Sequence, residues 1–218
     1  TEADVTYDFD LAGNSATDGD DYSSDPAALI FSNGVINNND GTITVPAGVT
    51  DFTVSYPVLN DAILENDETT ELTIGADSGT GTIIDALDAI PAVSIAAVSD
   101  SATEGADDSI VFSISQTGAT DKDSTVTASL VLGDSDASDI DSITFTDANG
   151  TQTISVADAI AGVSVTIPAG SSVLPTFTIS PTDDAIYEVS EALSMSISNP
   201  INASIGTAFD VATIFDEN

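Results

Sequence analysis

Two stretches of this chain have residue types and spacing suited to holding a cation. One is Asn60-Asp61-Ala62-Ile63-Leu64-Glu65-Asn66-Asp67-Glu68, the other Thr182-Asp183-Asp184-Ala185-Ile186-Tyr187-Glu188-Val189-Ser190-Glu191. In both, an Asp-Ala-Ile string leads to a Glu, and a second Glu follows three residues later. Several carboxylates gathered in one interstrand connection repel each other unless something positive sits among them. The chain contains one lysine, Lys122, and neither arginine nor histidine, so the cation must come from outside. Calcium fits best, because it takes six to eight hard oxygens and accepts bidentate carboxylates. Magnesium holds its waters too firmly for such crowding, and zinc would want His or Cys.

The same inventory argues against catalysis. Without His or Cys, and with a single Lys in a polar loop, most nucleophilic constellations cannot be built. Paired carboxylates could serve glycoside hydrolysis only from a cleft that raises one pKa, whereas these are expected in exposed turns. We therefore expect a protein that is not an enzyme. Acidic residues number 37 against one basic, for a formal charge of −36, and this excludes nucleic acid and anionic membrane surfaces as partners. No apolar run approaches the roughly 18 residues of a membrane span, so direct membrane insertion is not expected. Self-repulsion at this charge calls for screening by salt or bound metal, which points to a salty or calcium-rich setting. Cysteine is absent, so no disulfide framework is available.

The elements that must position these turns are short strands. Val5, Tyr7, Phe9 and Leu11 alternate with Thr and Asp, as in a half-buried strand. An Asp-rich loop follows from Asn14 to Tyr22, then Pro46-Ala47-Gly48, a strand through Phe52, Val54 and Tyr56, the acidic turn, and Leu72 with Ile74. This order recurs about 122 residues later, as a structural repeat predicts. Val126, Leu130 and Leu132 match Val5, Phe9 and Leu11; Ala137 to Asp141 match Ala16 to Asp20; Ile167-Pro168-Ala169-Gly170 match Val45 to Gly48; Asp184, Glu188 and Glu191 match Asp61, Glu65 and Glu68.

The second repeat opens with a stretch that the first lacks, holding Val93, Ile95, Glu104, Ile110, Phe112 and Ile114. The expectation is an all-β chain of two tandem antiparallel, Ig-like β-sandwich domains, over 1–88 and 92–218, joined by a short linker at 86–92. The first would lack its first two strands. That leaves an open edge and makes strand exchange through the incomplete domain a further expectation. No stretch shows a convincing helical period, and the tyrosines and phenylalanines mostly keep strand phase, which assigns them to the core rather than to a sugar platform. Isolated pairs such as Asp107 with Asp108, or Asp121 with Asp123, read as ordinary turn formers.

With these motifs in place, the chain resembles the Calx-β family, in particular the tandem Calx-β-like repeats of giant secreted bacterial adhesins with RTX-type calcium dependence. The residues carrying the likeness are Thr103-Glu104-Gly105, Ala16 to Tyr22, the two Pro-Ala-Gly turns, both acidic turns, and Gly81-Thr82-Ile83-Ile84-Asp85. The resemblance implies a calcium cluster at one end of each sandwich. In the second repeat it would draw on Glu104, Asp139 or Asp141, Asp183, Asp184, Glu188, Glu191 and Asp216 with Glu217. In the first it would draw on Asp20 or Asp21, Asp61, Glu65, Glu68, Asp85 and Asp88. There Asn60 stands where the pair's first Asp would fall, and the early Glu has no counterpart.

The resemblance further implies a non-catalytic, calcium-stabilised extender segment of a bacterial cell-surface adhesin, whose partners are calcium ions and the adjacent repeats of its own chain. The alternative from another class is a module of such an adhesin that itself binds a glycan or a protein.

Overall fold

The computed structural model describes residues 3–61, 63–85 and 88–216. The chain forms two compact units, Thr1–Asp88 and Ala89–Asn218, and each is a β-sandwich. The first unit contains β1 (Val5–Gly13), a 3-10 turn (Pro26–Ala28), β2 (Ile30–Phe31), β3 (Ile36–Asn37), β4 (Thr42–Val45), β5 (Val54–Ser55), β6 (Ile63–Leu64), β7 (Glu68–Ile74) and β8 (Asp77–Ile83). The second begins with β9 (Ala92–Ser99), β10 (Ser101–Thr103), β11 (Ile110–Thr117), β12 (Ala119–Thr120), β13 (Ser124–Val131), β14 (Ile140–Asp147) and β15 (Gly150–Ile154). It continues with α1 (Val156–Ala161), β16 (Val163–Ile167), β17 (Thr176–Pro181), β18 (Glu191–Ile201), β19 (Ser204–Ile205) and β20 (Phe209–Phe215).

In the second unit a five-stranded sheet, β10-β20-β18-β13-β16, packs on a six-stranded sheet, β15-β14-β17-β11-β9-β19. Period-two alternation builds the core. Val126, Ala128 and Leu130 of β13 point inward, as do Ile110, Phe112 and Ile114 of β11 and Leu193, Met195 and Ile197 of β18. Phe145 and Phe177, on adjacent strands, lie with ring centroids 4.7 Å apart. The first unit keeps the five-stranded sheet as β3-β4-β1-β7-β8, but its second sheet is reduced to β2-β5. Its smaller core is Phe9, Leu11, Tyr22, Leu29, Val35, Ile43 and Val45 with Ala16.

The repeat is visible in strand register. Glu68 faces Ile83 in the β7–β8 hairpin, and Glu191 faces Ile214 in β18–β20. Both hairpins end in Thr-Ile-apolar-Asp, at Thr82 to Asp85 and Thr213 to Asp216. The Pro-Ala-Gly turns are also fastened alike. Ala47 donates its N–H to Asp4 Oδ1 and Ala169 to Asp123 Oδ1, both at 2.9 Å.

Three sequence expectations need correction. The chain is not free of helix: α1 is a short turn capped by Ser155, whose Oγ accepts the Asp158 N–H at 3.0 Å, and six residues are too few to display a period. Tyr7 does not join the core with Phe9 and Leu11 but is exposed. β7 has 7 residues against 11 in β18, so the shortened hairpin pairs with β1 only from Phe9 onward. Nor are all the aromatics internal, since Tyr187, Phe209 and Phe215 are exposed.

Phe177 is wholly buried against Phe145, so Phe177→Ala should destabilise the second unit by about 3–5 kcal/mol. Calorimetry should show one of the chain's unfolding transitions moving down, and an unshifted thermogram would contradict this account of the core.

Candidate metal centre

In the second unit, Asp139, Glu188 and Glu191 each bring a carboxylate oxygen within 4.8 Å of the others'. Each is placed by backbone hydrogen bonding. Asp139 closes the loop before β14: its Oδ2 accepts the Asp136 N–H at 2.6 Å, and its carbonyl accepts the Thr182 N–H at 2.9 Å. Glu191 is the first residue of β18. The Glu188 N–H donates to Asp216 Oδ2 at 2.5 Å, which ties the acidic turn to the residue after β20. Asp184 Oδ1 accepts the Ile186 N–H at 2.7 Å and shapes the turn itself.

Glu104 directly follows β10, a strand with no counterpart among the described residues of the first unit. β10 runs parallel to the end of β20, and the Glu104 N–H donates to the Phe215 carbonyl at 2.9 Å. Its side chain is only 3% exposed. Burial raises its pKa above the ordinary carboxylate value, helped by the negative charges of Glu188, Asp184, Asp216 and Asp139. Glu188 is raised for the same reasons, burial first and then Asp139, Asp184, Asp216 and Asp136. Glu191 is pushed up to about 7, by burial first, then by a hydrogen bond with Asp139 and by the charges of Asp139, Glu188 and Asp136. Three glutamates that resist ionisation together mark a place where positive charge is wanted.

The first unit repeats this construction with one part fewer. Asp21, Glu65 and Glu68 form its triad. Asp21 Oδ2 accepts the Thr17 N–H at 2.5 Å, and its carbonyl accepts the Leu59 N–H at 2.9 Å. The Glu65 N–H donates to Asp85 Oδ2 at 2.6 Å, and Asp61 Oδ1 accepts the Ile63 N–H at 2.7 Å. Asp20, Asp61, Asp85 and Asp88 line the same cleft. The Asp88 pKa is raised, chiefly by a hydrogen bond shared with Asp85, then by burial and the charges of Asp85 and Asp61.

These bonds revise one alignment. By sequence, Asp139 falls opposite Asp18 and Asp141 opposite Asp20; by hydrogen bonding, Asp139 corresponds to Asp21. Asp18 instead fastens its own loop, accepting the Ser24 N–H at 2.8 Å and the Ser24 Oγ–H at 2.6 Å, which holds its pKa below the ordinary value. Asp20 is exposed at the cleft wall. Asp141 is exposed on β14 beside inward-facing Ile140, so strand alternation turns it away from the core face. Asp183 is also exposed, and neither it, Asp20 nor Asp141 belongs to either triad. Glu217 lies outside the described residues.

Sequence reasoning passed over Asp136. Its carboxylate accepts the Ser138 N–H at 2.7 Å as well as the Ser138 hydroxyl, and its charge acts on Glu188 and Glu191. Its place in Asp134-Ser135-Asp136, just ahead of Asp139, was the available signal. Every side-chain donor in both triads is a carboxylate oxygen, a set suited to a hard divalent cation and unsuited to a soft one.

Comparison with protein-family profiles gives no match, and comparison with curated proteins gives none. Among solved structures, the chain is similar to the apo form of the Calx CBD1 domain at 14% identity and TM-score 0.42, covering 58% of this chain and 98% of that one. It is similar to CBD12 from CALX1.2 at 12% identity and TM-score 0.36, covering 98% and 88%. It is also similar to the collagen adhesin CNA from S. aureus at 12% identity and TM-score 0.26, covering 98% and 81%.

The raised glutamates fix the sign of a pH effect. A carboxyl whose folded pKa of about 7 lies above its unfolded value contributes stability that is fully present below the unfolded pKa, near 4.3, and lost as pH rises through the folded one. In chelator, the melting temperature of the second unit should therefore fall between about pH 5 and pH 8. Glu191→Gln should flatten that fall, and an equally steep profile in the variant would refute the assignment.

Proposed function

We propose that this chain is a non-catalytic, calcium-stabilised extender segment of a bacterial cell-surface adhesin, working outside the cell. The observation that carries the reading is Glu104, a nearly buried carboxylate surrounded by four others in a chain whose side chains offer a single positive charge. An uncompensated buried anion is costly. A divalent cation held by Glu104, Asp139, Glu188, Glu191 and Asp216, with Asp184 close by, would remove that cost.

The functional role follows from linkage. An ion that binds only the folded state stabilises it by about 2.7 kcal/mol when its free concentration is a hundred times the dissociation constant. Millimolar extracellular calcium reaches that ratio for a site of about 10 μM, and small domains have only about 5–15 kcal/mol in total. Calcium would therefore be a substantial part of what keeps such a segment folded under load. The duplicated architecture supports the extender reading, since repeated sandwiches add length without adding a catalytic centre.

Calcium titrated into the metal-free chain should raise its melting temperature, more at pH 8 than at pH 5.5, because the ion displaces protons from the raised glutamates. Glu104→Gln should weaken binding by at least about tenfold. Single-molecule stretching should find a higher unfolding force with calcium than with chelator. Melting and stretching unchanged by chelator would overturn the proposal.

A further inference from the structure

The two units carry opposite chemistry on the same outer face. In β20, Ala212 and Ile214 turn into the core, so strand alternation sends Phe209, Val211, Thr213 and Phe215 to the outside of the five-stranded sheet. Phe209 is 59% exposed, and Val211 and Phe215 are exposed with it. Register carries the face across the sheet: Val211 lies opposite Ser194 of β18, and Ser194 lies opposite Val131 of β13, which is exposed too. Between the β20 ridge and Val131 stand Ala192, Ser194 and Ser196, small and half-buried. The result is a shallow trough with apolar walls.

The first unit makes the same face polar. With the hairpin ends matched, Ser78 holds the place of Phe209 and Thr80 that of Val211. On the neighbouring strands Glu71 stands for Ser194 and Ala12 for Val131. Of the four large apolar residues only Phe215 keeps a large apolar counterpart, Ile84. The sandwich therefore folds with hydroxyls and a carboxylate at these positions, and the apolar residues of the second unit are no requirement of the fold. A contiguous exposed apolar face of this kind marks an interaction surface.

We propose that this trough is the docking surface for a basic amphipathic helix of a partner protein, with the helix's apolar stripe on Phe209, Val211, Phe215 and Val131. β20 is paired on both sides, with β18 and β10, so the partner meets side chains and adds no strand. From Phe209 to Phe215 the ridge runs about 20 Å, the length of a helix of about 13 residues. β20 and β13 stand two strand spacings apart, about 10 Å, which is about the width of a helix. Charge selects the kind of helix. Asp100, whose carbonyl accepts the Thr213 N–H, and Asp134, whose N–H donates to the Ala192 carbonyl, are exposed on the two flanks. Lys122 precedes β13 at the end away from Val131. A second copy would set these aspartates, and a net charge of −36, against their like. The proposal stands apart from the calcium reading, since no side chain of the trough belongs to a carboxylate triad.

The probe is a fluorescent synthetic peptide of about 13 residues, with leucines at helical i, i+3 and i+4 spacing and lysines beside them. It is titrated into the whole chain and followed by anisotropy. Saturable binding is expected, weakened at least about tenfold when Phe209→Ser and Val211→Thr install the residues that the first unit holds there. Val131→Ala, matching Ala12, should weaken it as well, and carries the comparison if the double variant melts lower. The same peptide with glutamate for lysine should not bind. Equal binding by the parent chain and both variants would overturn the proposal, because attraction by net charge alone would explain it. No binding by the parent, or equal binding of the glutamate peptide, would overturn it too. So would a parent chain that sediments as a dimer and a double variant that sediments as a monomer, because the face would then be taken by a second copy.

Discussion

The constraint on which both candidate centres depend is the mutual repulsion of carboxylates that the chain cannot neutralise from within. One lysine among 218 residues cannot serve two clusters. The fold nevertheless brings the groups together, by turning carboxylates into backbone clamps. Asp139 and Asp21 each accept an N–H from the residues just before them while offering a carbonyl to the residue that leads into the acidic turn. Asp216 and Asp85 accept the N–H of the first turn glutamate. Glu104 and Glu191, by contrast, have their pKa raised by burial and by their neighbours. The centre of the second unit thus combines aspartates that hold the loops with glutamates, Glu104 and Glu191, that burial makes reluctant to ionise.

The two units show what the repeat keeps and what it lets change. The start of the hairpin, Glu opposite Ile, is kept together with the Asp that follows the last strand. Hairpin length changes freely, because lengthening the far end adds residues without moving the carboxylate end. That freedom shows at Tyr7, exposed where β7 stops short, and at Asn199 and Asn202, whose positive φ values of 51° and 52° mark bends near the end of the longer β18. The glycines of the Pro-Ala-Gly turns, with φ of 84° at Gly48 and 63° at Gly170, are retained, since the turn needs a left-handed residue there.

Much of this was legible in the sequence. Alternation at Ile110, Phe112 and Ile114 is a local signal, and so is the spacing of Glu188 and Glu191; both survive folding unchanged. The partner of each acidic turn was harder to read. Asp139 corresponds to Asp21, not Asp18, because the match is made by hydrogen bonds across a loop whose sequence slips by three residues, and a linear alignment cannot register that slip. Asp141 looked equivalent to Asp139 until strand alternation turned it outward. The exposure of Tyr187 was also illegible: in sequence it is an aromatic beside an Ile, and only the turn shows that both face solvent.

The division between clamps and ligands bears on how strongly a cation could be held. Fixing the backbone beforehand reduces the ordering that binding must impose, and Asp139, Asp184 and Asp216 each hold a backbone N–H. What binding still has to order is the glutamate side chains, and here the units differ. In the second, the Glu104 side chain is confined by burial, and its backbone N–H is held by the Phe215 carbonyl. In the first, β8 is the last strand of its sheet, and among the described residues no strand stands where β10 would deliver a glutamate. Among the described residues the first unit thus has no counterpart of β10 beside its cluster, and none of β9 and β11, whose Val93, Ile95, Phe112 and Ile114 fill the second core.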